Sequence, residues 1–107
     1  MEKEELYELK YVLASYIYPR LKALKDMVDD KKAVTIPNFK NEEYFENKKV
    51  SFDLMSEFWS KKLEEMIFPF QYYSFTESFE DMDEEVLKEK IKKGLETFAK
   101  YYNDLWI

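Results

Sequence analysis

The chain has 107 residues, 37% of them charged and 46% hydrophobic, with aromatic side chains at 19% and a formal net charge of −6. It contains no histidine, no cysteine and one glycine, Gly94. This excludes Ser-His-Asp and Cys-His nucleophiles, histidine- or cysteine-held zinc, Glu-x-x-His di-iron sites, iron–sulfur ligation and Gly-rich phosphate loops.

The length fits a single domain, residues 1–107. Its apolar and aromatic content is too high for a disordered chain. One glycine and three prolines leave little turn chemistry for a many-stranded sheet, whereas the helix formers Leu, Glu, Lys and Met are plentiful. The predicted class is all-α. Seventeen basic residues against twenty-three acidic ones oppose direct nucleic-acid binding, which draws its affinity from phosphate neutralisation. No segment approaches the roughly 20 apolar residues that span a bilayer, and Met1–Glu5 is too acidic for a signal peptide. A cytoplasmic protein without membrane contact is expected.

Leu6, Leu9, Leu13, Ile17, Leu21, Leu24 and Val28 recur at spacings of three and four, which predicts a first helix over about 4–28. Glu2, Glu4 and Glu5 lie near its start and Lys22 and Lys25 near its end, as the helix dipole prefers. Pro19 lies inside the pattern and predicts a kink. Asp26, Asp29 and Asp30 are close in register, but the residues after them lack the alternating oxygen ligands and glycine of a calcium loop, so no metal site is assigned. Residues 30–50 lose the period. Ala33–Ile36 is short and β-branched, Pro37 halts it, and Asn38, Asn41 and Asn47 are turn formers. A long loop is predicted, partly β or with a short helical turn at 42–46, and it reads either as an ordered strap packed by Phe39, Tyr44 and Phe45 or as a binding loop.

Ser51 reads as the N-cap of a second helix with Asp53 in its first turn. Phe52, Met55, Trp59, Leu63, Met66, Phe70 and Tyr73 come next at helix spacing, and Phe58 and Ile67 widen the stripe. This predicts the central, most buried helix, with a second kink at Pro69. A third helix starts at Asp81 or Asp83, with Glu84 and Glu85 in its first turn. Its apolar seam is Leu87, Ile91, Leu95, Phe98, Tyr102 and Leu105. Gly94 in mid-helix costs about 1 kcal/mol relative to alanine, which predicts close approach of a neighbouring helix or ring. The expected architecture is thus a compact bundle of three principal helices.

Residues 1–50 balance ten basic against ten acidic side chains, whereas 51–107 carry seven against thirteen. Much of the surplus lies in Glu77, Glu80, Asp81, Asp83, Glu84 and Glu85, which suits either a solvated helix start or a docking surface for a basic partner. The tyrosines, among them Tyr16, Tyr72 and Tyr101, are too many for so small a core, and amphipathic rings make good contact residues. Trp106 is either a cap on the core or a contact residue. Arg20, the only arginine, comes directly after Pro19 and suits a salt bridge or a phosphate clamp. The candidate binding residues are therefore Arg20, Tyr16, Tyr72, Tyr101, Trp106, Glu80, Asp81 and Asp83.

Tyr16-Ile17-x-Pro19-Arg20-Leu21, Trp59-x-x-x-Leu63-x-x-Met66-Ile67-x-x-Phe70 and Gly94-Leu95-x-x-Phe98-x-x-Tyr101-x-x-x-Leu105-Trp106 together resemble a family of small helical proteins encoded by bacteriophages and prophages, mostly of unknown function. Pro69 departs from the pattern, at a position where an ordinary helix former is expected. The resemblance implies a phage accessory protein acting in the bacterial cytoplasm, and it implies no reaction, cofactor or catalytic residue. The expected function is non-enzymatic: a module that binds a host protein, such as an enzyme or a defence component that it would inhibit. The alternatives are capture of a nucleotide-type small molecule and self-association through exposed rings into a homo-oligomer.

Overall fold

A computed structural model describes residues 8–30, 36–39 and 41–106. Three helices carry the fold: α1 (Leu9–Asp29), α2 (Phe52–Ser74) and α3 (Glu84–Lys100). Short 3₁₀ turns lie at Glu43–Phe45, Thr76–Phe79 and Tyr102–Asp104. The described residues contain no strand, and the β-type segment Ala33–Thr35 lies outside them. The all-α, three-helix expectation holds.

The Ser51 hydroxyl accepts the Leu54 N–H at 3.1 Å and starts α2 as a side-chain cap should. Asp83 holds the N-cap position of α3 but its carboxylate makes no capping bond. The start expected for α1 near Glu4 lies outside the described residues. At its other end Lys22 and Lys25 do not serve the helix terminus. They pair one turn on with Asp26 at 2.7 Å and Asp29 at 2.6 Å.

Neither proline breaks its helix: α1 runs through Pro19 and α2 through Pro69. Pro19 lies on the exposed side, where water can serve the carbonyl of Ser15 that its missing N–H leaves free. Pro69 is buried, and the carbonyl it releases belongs to Glu65. Gly94 of α3 sits directly over that place. A Cβ built on Gly94 would fall 2.4 Å from Pro69 Cδ and 2.5 Å from the Glu65 carbonyl oxygen. The glycine thus permits the close approach expected of it, and its Cα–H faces the freed carbonyl.

α2 is the central element. Trp59, Leu63 and Met66 are at most 1% exposed, and Phe58, Ile67 and Phe70 are buried around them. α1 and α3 both pack on α2, but no Cα of one comes within 8 Å of the other. Asp29 meets Ser60 while Tyr18 meets Phe75, so α1 runs antiparallel to α2. Thr97 meets Glu65 while Tyr101 meets Trp59, so α3 does likewise. The result is a slab of 49 × 32 × 22 Å.

Among the described residues of the segment after α1, Phe39, Tyr44 and Phe45 pack as a strap. Phe39 and Phe45 are buried, Tyr44 lies at the edge, and all three rings meet Phe58 at 5.1–5.2 Å. Phe39 also meets Trp59 and Tyr101. Offset and edge-on ring pairs of this kind each add about 0.5–1.5 kcal/mol beyond burial, which suits a loop with no ladder to hold it. Asn47 turns the chain with a φ of 63°, a conformation that asparagine tolerates.

Candidate functional site: an apolar groove between the outer helices

The outer helices do not turn their full apolar stripes onto α2. On α1 the residues buried against the core are Ala14, Leu21 and Val28. Leu9, Val12, Leu13 and Tyr16 are exposed, Tyr16 by 59%. On α3 the buried residues are Gly94 and Thr97, neither of them in the expected seam. Leu95 and Tyr102 of that seam are exposed, and Leu87, Ile91, Phe98 and Leu105 are only half-buried. On α3 the cause is Gly94. Small residues must face α2 where the backbones approach so closely, so Leu95 and Tyr102 are turned outward, while Phe98 still meets Phe70 of α2 at 5.0 Å.

The two displaced stripes border one groove. Tyr16, Ile17 and Leu24 form its α1 wall, and Phe98, Leu105 and Trp106 form the wall from α3 and the turn at its C-terminal end. Leu21 lies at its base and Arg20 at its rim, and the groove holds about 320 Å³. The stripes continue past it, through Leu13 and Leu9 on α1 and through Leu95 on α3, by helix register.

Arg20 is held in place. Its guanidinium carbon lies 3.6 Å from the centroid of the Tyr16 ring, and its Nη1 donates to the Tyr16 carbonyl at 2.8 Å. Stacking and hydrogen bond together fix the fork against its own helix. Among the described residues no carboxylate forms an ion pair with it, so the salt bridge expected of it is not made there.

Of the residues predicted to bind, the structure brings Tyr16, Arg20 and Trp106 to this groove. It places the others elsewhere. Tyr101 is 3% exposed, and its ring is enclosed by Phe39, Phe58 and Trp59, so it serves the core. Burial, the Glu42 carboxylate and their opposition by Lys100 leave its hydroxyl with a pKa above the usual 10.0. Tyr72 stacks on Tyr73 at 5.1 Å and meets Phe79 edge-on near the end of α2. Glu80, Asp81 and Asp83 are exposed in the connection between α2 and α3. That connection enters α3 at the opposite end from Trp106, about 25 Å away along the axis of α3.

Ile17, Leu24, Phe98 and Leu105 were legible as apolar but read as core. The signal of their second role is stripe width. Val12, Leu13 and Tyr16 widen the α1 stripe well past Ala14, Leu21 and Val28, more than one neighbouring helix can cover.

A larger cleft, about 490 Å³, lies against Gly94 between α2 and α3. Glu65 accepts the Thr97 hydroxyl at 3.0 Å and lies 3.6 Å from Lys62 and 3.9 Å from Lys93. Among the described residues no group of three or more Asp and Glu side chains is placed to hold a metal ion. No helix there is long and apolar enough to cross a membrane. Comparison with protein-family models, curated proteins and solved structures found no match to this chain.

Proposed function

We propose that the protein is a non-enzymatic binding module that receives a helical segment of another protein in the groove between α1 and α3. One observation carries this reading. Two helices flank a third with no Cα of one within 8 Å of the other, and apolar side chains of both line the space between them, with Tyr16 and Trp106 left exposed. That space is where the fourth helix of a bundle would lie. Helix-in-groove docking reads anchors at i, i+3, i+4 and i+7, the spacing at which both walls present theirs.

The likeness to phage-encoded helical proteins supports a host protein as the partner, and inhibition of an enzyme or defence component as the outcome. The test is capture from bacterial lysate with the full chain and with Leu13→Asp/Tyr16→Asp. A stoichiometric partner held by the first and lost by the second supports the reading. Equal capture by both, or by neither, counts against it.

The convergence of three rings, Tyr16, Phe98 and Trp106, beside Arg20 favours a second reading, an aromatic anion such as a nucleotide. Small-molecule sites bury most of their ligand, and this groove is open along its length, which ranks that reading second. A nucleotide present at 100 times its Kd would add about 2.7 kcal/mol of stability in a thermal-shift screen.

A further inference from the structure

Building on the helix-in-groove reading, we infer that the segment that fills the groove is an amphipathic helix bearing a carboxylate within its apolar stripe, and that Arg20 is the residue that selects it. The inference starts from what closing the groove does to Arg20. Its guanidinium stands at the rim of an apolar wall, laid on the Tyr16 ring with one N–H committed to the Tyr16 carbonyl. A guanidinium has five N–H donors, and among the described residues only the one on the Tyr16 carbonyl has a hydrogen-bond partner. An apolar helix laid over it would take a charge out of water with no counter-charge, which is strongly unfavourable. A helix with Asp or Glu at that point gains a charge-assisted, two-pronged hydrogen bond instead. The stack on Tyr16 fixes the fork in advance, so little side-chain freedom is lost on binding.

The same chemistry argues against a second copy of this chain as the occupant. The α1 stripe (Leu9, Leu13, Tyr16, Ile17, Leu24) contains no acid, and neither does the α3 stripe (Leu95, Phe98, Tyr102, Leu105). Two copies closed groove to groove would bring Arg20 no carboxylate from either stripe. The acid-rich connection, with Glu80, Asp81 and Asp83, enters the far end of α3 and does not supply one. A net charge of −6 on each copy opposes the pairing further.

The experiment uses a display library of amphipathic helices about as long as α1, with apolar stripe positions varied and one central stripe position opened to all residues. It is selected against the full chain and, in parallel, against Arg20→Glu. Arg20 is exposed, so the variant is expected to fold. Asp or Glu should dominate the open position with the natural chain, and Lys or Arg with the variant. Peptides from the first selection should weaken about tenfold or more when their acid becomes the matching amide, and this loss should vanish on Arg20→Gln. Helices that bind with no preference at the open position would overturn the role of Arg20 while leaving the groove reading intact. A library from which nothing is enriched would overturn both. Sedimentation that finds a dimer of the free chain, dispersed by Leu13→Asp, would put a second copy in the groove and overturn the choice of partner.

Discussion

Replacing Gly94 by alanine sets two effects of opposite sign against each other. Mid-helix glycine is worse than alanine by about 1 kcal/mol, so propensity alone predicts a more stable protein. Packing predicts the reverse. The new Cβ would lie 2.4 Å and 2.9 Å from the Cδ and Cγ of Pro69, and 2.5 Å from the Glu65 carbonyl oxygen. These are ring and backbone atoms, not the movable end of a side chain, so α3 must back away from α2. Backing away stretches the Thr97–Glu65 hydrogen bond of 3.0 Å and loosens Tyr101 against Trp59. Overpacking typically costs about 1–3 kcal/mol and more where the backbone is held. Set against the gain in propensity, a net loss of up to about 2 kcal/mol is expected, a fall in Tm of up to about 8–16 °C for a chain of this size. Urea unfolding followed by helical circular dichroism measures it. Pro69→Ala supplies the partner variant, because it removes two of the three clashes and returns an N–H to Glu65. The two substitutions should therefore be non-additive by about 1 kcal/mol or more. If Gly94→Ala proves as stable as the natural chain or more so, the helices do not meet there, and the account of why the apolar seam of α3 is turned away fails with it.

The same structure sets three further outcomes. Leu13→Ser should change stability by no more than about 0.5 kcal/mol, whereas Leu21→Ala on the same helix should cost about 2–5 kcal/mol, because Leu13 is 47% exposed and Leu21 only 5%; equal effects in denaturant titration would mean that α1 docks on another face. Burial raises the pKa of Tyr101 in the fold above its unfolded value near 10.0, with Glu42 adding to the rise and Lys100 opposing it, so its contribution is fully present below pH 10 and is lost as pH climbs through the folded value. Tyr101→Phe should move the alkaline unfolding midpoint upward, and an unchanged midpoint would contradict this. Burial of Asp29 works against its charge, but hydrogen bonds from Lys25 and Ser60 outweigh it and hold the carboxyl below the usual 3.8. That stabilisation is present above the unfolded value and is lost as pH falls through the lower, folded one. Ser60→Ala should accordingly shift acid unfolding to higher pH, as seen by tryptophan fluorescence, and no shift would refute the contribution of that bond.

The three helices could be read in the chain because their signals are local. The period of three and four from Leu9 to Val28, the Ser51 cap and the run from Phe52 to Tyr73 need no knowledge of neighbours, since backbone hydrogen bonding and side-chain spacing are properties of one segment. The strap of Phe39, Tyr44 and Phe45 was legible for a related reason: so many rings beside a proline have nowhere to go but the core. Gly94 even announced a close contact, because an unfavourable residue in mid-helix needs a reason.

The direction in which each stripe points was not legible. Leu95 and Tyr102 share the period of Phe98, yet they are exposed, whereas Gly94 and Thr97, on an adjoining arc of α3, are buried against α2. Periodicity marks an apolar face but does not say which neighbour covers it or how much of it is covered. That depends on where two helix axes come closest, and here the answer is the pairing of Gly94 with Pro69, two residues 25 positions apart that meet only once the chain has turned back on itself. Tyr101 and Trp106 likewise look alike as terminal aromatics. One lies beneath the strap and the other stands at the groove, a difference set by packing between distant segments and by nothing in their immediate surroundings.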